Sequence, residues 1–379
     1  MSSQFLHEPT VLFLIPGDMR RQTGGSLYNR KLAEGLTERG FRLEIVALPD
    51  LPYFAGLVAG LFITPILLLR FARRKFDLVI EDGWAHPTTF LFNVVCRLIG
   101  KVRLVIIVHQ IRWHAIRPPV RSVALIVEQL ALRSAHLIFT VSAFISGEVE
   151  RLVGSNSQIA IASPGSEPPS GSGCPRRDST NQPLRLLFVG NCTRLKGLDH
   201  LVAALSLLED LDLRLDIVGD VSLEPRYFVG LARKAKTLGV DQRVIFHGAI
   251  SPEDLGPLYS QADIFTFPSL YEGFGIVLGE AMHAGLPIVA TRTGPVNEIV
   301  REGENALIVP PADSEAIACA IRKLAADPAM RRDFGRRSQE LAGSLPTWKQ
   351  TCDIVSQKIT VMIRTTPGTK QKTKTIPTR

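Results

Sequence analysis

Short apolar runs alternate with stretches of helical period along almost the whole of this 379-residue chain. Such alternation is typical of βαβ units, in which helices connect parallel strands and cover the sheet. One segment interrupts it, because residues 163–183 contain five prolines and three glycines and cannot form a regular helix or strand. The pattern therefore predicts two doubly wound α/β domains in tandem, joined by a linker.

The predicted strands form one group on each side of this linker. The first group comprises 11–15, 41–47, 76–81, 102–109 and 136–141, and the second comprises 184–189, 213–218, 244–247, 264–267, 287–290 and 306–309. Open parallel sheets bind ligands beyond the carboxyl ends of their strands. The cleft between two such domains is therefore the expected functional site.

Composition and charge exclude several classes of protein. With 45% hydrophobic and 21% charged residues, the chain can bury sizeable cores, unlike a disordered, collagen-like or disulfide-stapled protein. The net charge of +8 falls by six to +2 when the cations after Asp353 are left out. This distribution predicts a nearly neutral body with a basic tail. It does not favour a nucleic-acid partner. Those cations are Lys358, Arg364, Lys370, Lys372, Lys374 and Arg379.

The cysteines and the first residues bear on the compartment. Cys96, Cys174, Cys192, Cys319 and Cys352 lie far apart without a CxxC pair, which predicts neither a zinc site nor a disulfide framework. The first residues lack a basic segment before a short apolar run, so they predict a first strand and show no export signal. We expect a protein of the reducing cytoplasm.

Two glutamates separated by seven residues, Glu272 and Glu280, mark the strongest candidate site. The residues between them follow a predicted strand and open a helix, and they include Gly273, Gly275 and Gly279. Free amides in the first turn of a helix, approached closely because the residues are small, form an anion site suited to a diphosphate. The alternative is that Glu272 caps the helix and Glu280 is a solvated helix residue.

The sequence YEGFGIVLGEAMHAGLPIVATRTGPVNEIVREGENALIVPPAD, residues 271–313, resembles the carboxyl-terminal domain of retaining glycosyltransferases of family 4 (glycosyl transferase group 1). Other motifs follow in that family's order: Gly24-Gly25, His109, VSAFISGEV, Lys196-Gly197, IVGD and Glu298. The resemblance implies the GT-B fold, two Rossmann-like domains facing each other across a cleft. It divides the chain into an acceptor-side domain (1–165), a linker (166–183), a nucleotide-sugar-binding domain (184–345), a helical segment crossing back near Trp348 (346–364) and a basic disordered tail (365–379).

The resemblance also implies a nucleoside-diphosphate sugar as donor and no other cofactor or metal. Lys196 and Arg194 are the expected phosphate-binding cations, which stabilise the charge that grows as the glycosidic bond breaks. Asn191 stands where the family often has arginine, so Arg194 is the weaker expectation. The remaining donor-binding residues are expected to be Gly24, Gly25 and the amides of Phe274, Gly275, Ile276 and Val277.

By the same resemblance Glu280 holds the ribose hydroxyls, Glu272 lies near the transferred sugar and His109 reaches that sugar from the other domain. Glu81 and Asp82, at the end of a predicted strand, are acceptor-side candidates, with strand-end capping as the alternative. Pro295 stands where the family usually has glycine and removes one backbone donor there.

Residues 51–69 contain no charged residue and are long enough to span a bilayer. A crossing would separate strands of one sheet, so spanning is not expected. Two alternatives remain. The helix is buried against the sheet, or it lies in the membrane interface and places Arg70, Arg73, Arg74 and Lys75 on anionic headgroups. The lack of a polar face before Arg70 favours peripheral contact through 51–75 with the cytoplasmic face of the membrane.

The expected activity is therefore that of a retaining, metal-independent hexosyltransferase. It would move a sugar to a hydroxyl of a lipid-linked glycan or glycolipid acceptor in polysaccharide or lipopolysaccharide synthesis. An epimerase or a phosphorylase of the same fold is an alternative, although no site for the pyridoxal phosphate of phosphorylases is found. A catalytically degenerate nucleotide-sugar-binding subunit is another alternative, which Asn191 and Pro295 leave open.

Overall fold

The computed structural model describes residues 8–100, 102–116, 120–154, 157–170 and 183–364. They form two six-stranded, wholly parallel sheets, with helices between successive strands. This arrangement confirms the predicted pair of doubly wound α/β domains.

The amino-terminal sheet has the strand order β2-β1-β3-β4-β5-β6. Its strands are β1 (Thr10–Pro16), β2 (Arg42–Leu48), β3 (Leu78–Asp82), β4 (Leu104–Val108), β5 (Leu137–Thr140) and β6 (Ile159–Ile161). Its helices are α1 (Gly24–Glu38), α2 (Tyr53–Arg73), α3 (His86–Ile99), α4 (Arg121–Ser134) and α5 (Ala143–Val153). Helices α2, α3 and α4 pack side by side, and each begins at the edge where the strands end.

The carboxyl-terminal sheet has the strand order β12-β11-β10-β7-β8-β9. Its strands are β7 (Leu184–Val189), β8 (Leu213–Val218), β9 (Val244–Gly248), β10 (Ile264–Phe267), β11 (Ile288–Thr291) and β12 (Ala306–Val309). Its helices are α6 (Leu198–Ser206), α7 (Pro225–Thr237), α8 (Pro252–Gln261), α9 (Ile276–His283), α10 (Val296–Ile299), α11 (Ser314–Ala326) and α12 (Pro328–Ala342).

The last helix, α13 (Trp348–Arg364), packs on α1 of the amino-terminal domain. Trp348 and Val355 are part of that domain's core, and the Arg39 guanidinium binds the Asp353 carboxylate at 2.6 Å. Lys358 and Arg364 therefore lie in the segment 346–364 that the resemblance made helical, and not in the basic tail to which the charge pattern assigned them. Residues 365–379, 171–182 and Cys174 lie outside the described residues.

Helix α2 packs through a narrow face of small residues. Gly56, Gly60 and Thr64 are spaced four apart and lie against α3, and a Cβ on Gly60 would be only 2.7 Å from the Thr88 carbonyl oxygen. The helix is long and apolar enough to cross a membrane. Only 22% of its most apolar 18-residue stretch is buried inside the protein. Its exposed large side chains are Phe54, Val58, Leu61, Phe62, Ile66 and Leu69. The helix is therefore not buried as a whole against the sheet.

Candidate functional site

The loop after β10 leads directly into α9. Gly275 precedes the helix with a φ of +94°, a left-handed conformation that favours glycine, and the helix starts at Ile276. The amides of Phe274, Gly275, Ile276 and Val277 donate no hydrogen bond to any described residue. Four backbone donors at a helix N-terminus are thus available to an anion.

Lys196 and Glu272 form the charged centre of this edge. Lys196 ends a short 3₁₀ turn after β7, and its Nζ lies 2.5 Å from Oε2 of Glu272, a side chain only 8% exposed. The turn packs closely on the loop after β10 at Gly197. A Cβ at this position would lie only 2.1 Å from the Pro268 carbonyl oxygen, so a larger residue would not fit. A buried carboxylate is stable only when it is paired, so each of the two groups holds the other in place.

Glu280 lies about one turn into α9, because the helix begins at Ile276. Its Oε2 accepts a hydrogen bond of 2.7 Å from the buried Tyr259 hydroxyl. Burial raises the pKa of the Glu280 carboxyl, and the Tyr259 hydrogen bond opposes part of that rise. The carboxylate is therefore fixed in direction by a rigid phenol.

Arg194 stands apart from this centre. Its side chain is largely exposed and approaches Glu224, which precedes α7, at 3.8 Å. Of the two predicted phosphate-binding cations, only Lys196 lies beside Glu272.

His109 follows β4 on the opposite domain. Its Nε2 lies 3.3 Å from Asn29 Oδ1 and 3.5 Å from Asp82 Oδ2, and its ring packs edge-to-face with Tyr28. Burial by itself raises the pKa of the Asp82 carboxyl, but His109, the Trp84 amide and Asn29 outweigh it and hold that pKa below its ordinary value. Asp82 thus stays ionised and orients the imidazole.

Residues of the amino-terminal and carboxyl-terminal domains meet across the cleft. A Cβ on Gly24 would lie 3.6 Å from the Ile276 side chain, and one on Gly25 would lie 3.5 Å from the His109 ring. Gly273 is pressed against the other domain, because a Cβ there would lie 1.9 Å from the His109 carbonyl oxygen. The structure therefore brings Gly24, Gly25 and His109 to the loop that carries Glu272.

Three contacts that the sequence did not predict join the domains around this point. Glu298 accepts hydrogen bonds from the amides of Ala143 (3.0 Å) and Phe144 (2.8 Å), which are the first residues of α5. The Tyr271 hydroxyl donates to Glu148 at 2.7 Å. Glu298 and the VSAFISGEV motif were noticed for their order, but only the fold shows that they contact each other.

A third such contact starts from the residue before α5. The Ser142 Oγ donates a hydrogen bond of 2.8 Å to the Gly273 carbonyl oxygen. Domain contact in this structure thus involves the same loop that carries Glu272.

Glu81 does not face the cleft beside Asp82. Successive side chains of a strand point to opposite faces of the sheet, so Asp82 reaches His109 while Glu81 points towards α3 and is wholly buried. Its Oε1 accepts a hydrogen bond of 2.6 Å from Thr89, and Oε2 has no partner among the described residues. The structure therefore separates this pair of acceptor-side candidates.

Because burial raises the pKa of Glu81 to about 7, the unfolded chain loses this proton at lower pH than the folded protein does. Ionisation of Glu81 therefore lowers the free energy of unfolding. The loss grows as pH rises from about 4.5 to 7 and stays constant above that range. Glu81→Gln removes the penalty while keeping an oxygen for Thr89. We expect the variant to be more stable than the wild type by roughly 3 kcal/mol at pH 8, with the difference vanishing below pH 5. Urea unfolding at both pH values measures this.

The exposed Glu150 supplies the matched control for that experiment. Glu150→Gln should leave the pH dependence of the unfolding free energy unchanged. A Glu81→Gln difference that is the same at both pH values would contradict the assignment.

No group of three His, Cys, Asp or Glu side chains within the described ranges could hold a metal ion. Among those same residues, Cys96, Cys192, Cys319 and Cys352 are free thiols.

Residues 176–341 match the sequence model of the family described as Glycosyl transferases group 1. A glycosyltransferase of Methanocaldococcus jannaschii, MJ1607, itself described as uncharacterized, is 36% identical over 143 residues, which are 38% of this chain and 36% of that protein. The chain spans roughly a third to a half of the length of the curated relatives it matches.

Among solved structures, the sucrose-phosphate synthase of Thermosynechococcus elongatus superposes with a TM-score of 0.81 at 22% identity, covering 95% of this chain and all of that one. The Anabaena protein Alr3699/HepE, solved with UDP and glucose, superposes with a TM-score of 0.74 at 18% identity, covering 92% of this chain and 99% of that one. Similarities at these identities establish the fold. The carboxyl-terminal domain of this chain therefore matches the glycosyl transferases group 1 model, and the chain as a whole has the GT-B fold.

Proposed function

We propose that this protein transfers a sugar from a nucleoside-diphosphate sugar to a hydroxyl group. The observation that carries the proposal is the meeting of two half-sites. Lys196, Glu272 and four free amides come from one domain, and His109 and Gly25 come from the other. Each half offers what one part of such a donor requires.

The diphosphate fits the first half-site. The amides at the start of α9 and the Lys196 ammonium supply positive charge where the leaving group becomes more negative, which is how such groups lower the barrier. Glu280, held by Tyr259, is placed to accept hydrogen bonds from ribose hydroxyls. The structural neighbour solved with UDP and glucose supports a nucleotide sugar as the donor.

The sugar itself belongs between Glu272 and His109. In the retaining reaction that we propose, the bond from the anomeric carbon to the phosphate oxygen breaks and a bond to the acceptor oxygen forms on the same face. The acceptor proton passes to the departing diphosphate, so the proposed reaction needs no separate general base. Lys196 and the α9 amides carry the leaving-group charge, so the proposal requires no metal ion at this point.

The acceptor-side domain carries a surface suited to a membrane. The exposed apolar residues of α2 form one stripe, with Phe62 71% and Ile66 63% exposed. At its end stand four cations, Arg70, Arg73, Arg74 and Lys75, of which two share the single carboxylate Glu44. An apolar helix face next to a net positive charge is typical of binding to the interface of an anionic bilayer. We therefore propose peripheral membrane contact and a lipid-linked glycan acceptor.

Thermal unfolding with nucleotides tests the donor assignment. UDP, GDP, ADP and their sugars are added singly to the full chain, and the matching nucleotide should raise Tm by several degrees. A ligand at a hundredfold excess over its Kd contributes about 2.7 kcal/mol of stability. Lys196→Ala and Glu280→Ala should abolish the rise, whereas Lys323→Ala, an exposed lysine of α11, should keep it.

A rise that survives in both cleft variants would contradict the site. A rise with neither hydrolysis nor transfer of the donor sugar would instead indicate a catalytically degenerate nucleotide-sugar-binding subunit. The release of nucleoside diphosphate from its sugar, followed with time, separates these two functions.

A further inference from the structure

Two arginines lie where the apolar helices of the acceptor-side domain meet the cleft. Arg112 begins a 3₁₀ turn, Arg112–Ala115, that follows β4 three residues after His109. Arg121 is the first residue of α4. Both therefore lie at the edge where the strands of this sheet end, which is the edge that carries the site.

Neither guanidinium has a carboxylate within 4.0 Å among the described residues. Arg112 donates to the carbonyl oxygens of Trp84 and Leu51 and lies over the Trp84 and Tyr53 rings. Those contacts hold the group without placing a carboxylate in direct contact with it. The nearby carboxylates that act on it, Asp50, Glu128 and Asp82, do so from beyond ion-pair distance.

Arg121 is held in a similar way. Its guanidinium lies 4.1 Å from the centre of the Trp113 ring, and its buried Nε has no hydrogen-bond partner among the described residues. A buried donor without a partner is costly, so this Nε is available to an acceptor. Glu128 does not fill that role, because its oxygens accept from the amides of Arg112 and Trp113 and make no hydrogen bond with this Nε.

Apolar helix faces begin beside both arginines. Phe54, the first exposed apolar residue of α2, is next to Tyr53, over which Arg112 lies. Val123, Ile126 and Leu130 of α4 are exposed in the turns that follow Arg121. The Tyr53 hydroxyl donates to the Ala124 carbonyl oxygen and ties the two helix starts together.

We propose that Arg112 and Arg121 bind the phosphate that joins the lipid to the glycan of the acceptor. This inference rests on the proposed function and names the class of acceptor, a glycan on a long-chain lipid phosphate. The lipid lies along the exposed faces of α2 and α4, the phosphate lies on the arginines, and the sugar hydroxyl reaches the cleft at His109. Guanidinium groups match phosphate oxygens with paired hydrogen bonds, and both Arg112 and Arg121 already lie over aromatic rings.

Sedimentation with vesicles tests the inference on the full chain. Three compositions are compared: phosphatidylcholine alone, the same lipid with a polyprenyl phosphate, and the same lipid with phosphatidylglycerol at equal negative charge. The wild type should bind most tightly to the second. Arg121→Gln should lose that preference, by about tenfold in Kd for one charge-assisted hydrogen-bond pair, whereas Arg133→Gln, an exposed arginine at the other end of α4, should keep it.

The apolar face is tested separately in the same assay. Phe62→Glu with Ile66→Glu should weaken binding to all three vesicle types. Leu207→Glu with Val229→Glu, two exposed apolar residues of the other domain, should not. Equal binding of the wild type to polyprenyl phosphate and to phosphatidylglycerol would overturn the phosphate site, as would an Arg121→Gln variant that behaves like the wild type.

Nucleotide binding separates failure of this inference from failure of the proposed function. Arg121→Gln should keep the full thermal stabilisation by the matching nucleoside diphosphate, because its guanidinium lies on the acceptor side. Loss of that stabilisation would place Arg121 in the donor site and overturn the inference. If no nucleotide stabilises even the wild type, the proposed function fails, whereas a lost vesicle preference with intact nucleotide binding supports the acceptor site.

Discussion

Replacing Gly273 by alanine should lower the rate of sugar transfer by about two orders of magnitude while both domains stay folded. The added Cβ would lie 1.9 Å from the His109 carbonyl oxygen, 2.8 Å from Gln110 Cγ and 3.1 Å from the His109 carbonyl carbon. These atoms belong to the backbone that leaves β4, or lie next to it, and cannot easily move aside. The domains must then separate by about 1 Å. A displacement of that size between reacting groups lowers the rate by about a hundredfold.

The measurements are kcat for transfer and the radius of gyration from small-angle scattering. Nucleotide stabilisation should persist, because Lys196 and the α9 amides lie within one domain. Gly230→Ala is the matched control, since nothing lies within 4 Å of a Cβ at that position of α7. If Gly273→Ala retains wild-type turnover, the closed contact between Gly273 and His109 does not belong to the catalytic state.

Glu272→Gln should reduce kcat by about 10²- to 10³-fold, the range observed when one preorganised electrostatic contact to a transition state is lost. Glu272 is the buried carboxylate nearest the expected position of the transferred sugar, whose ring becomes positively charged as the donor bond breaks. Glutamine keeps the size and an oxygen of the side chain but removes the charge. Initial rates at saturating donor and acceptor measure the effect.

Donor affinity should change much less than kcat in this variant. Loss of the Glu272 charge frees the Lys196 ammonium, which is then fully available to the diphosphate. Glu304→Gln, at an exposed loop position of the same domain, serves as the control. A Glu272→Gln enzyme with normal kcat and weakened nucleotide binding would move this carboxylate from the sugar to the nucleotide.

Most strands were predictable because both faces of a parallel sheet are covered. β7 (Leu184–Val189) and β10 (Ile264–Phe267) are therefore nearly continuous apolar runs. β6 (Ile159–Ile161) was missed, since it is a three-residue edge strand with half-exposed side chains and carries no such run.

The candidate site was predictable in its residue types and order, but not in its contacts. The sequence placed Lys196 after one strand and Glu272 after another, and only the adjacency of β7 and β10 puts their charges 2.5 Å apart. Glu81 and Asp82 were taken together because they are neighbours in the chain. The two-residue period of a strand, which was available from the sequence, sends them to opposite faces.

The sequence by itself determined two parallel α/β domains, the glycine-rich start of α9 and the apolar helix at residues 51–69, because each depends on periodicity or spacing within a short segment. The tertiary structure decided which face of α2 is covered, through the approach of Gly60 to Thr88. It also decided that Gly273 meets His109 and that Arg112 and Arg121 lie without carboxylate partners among the described residues. These contacts join residues from different helices or domains, so their free energy depends on relative placement that no local pattern encodes.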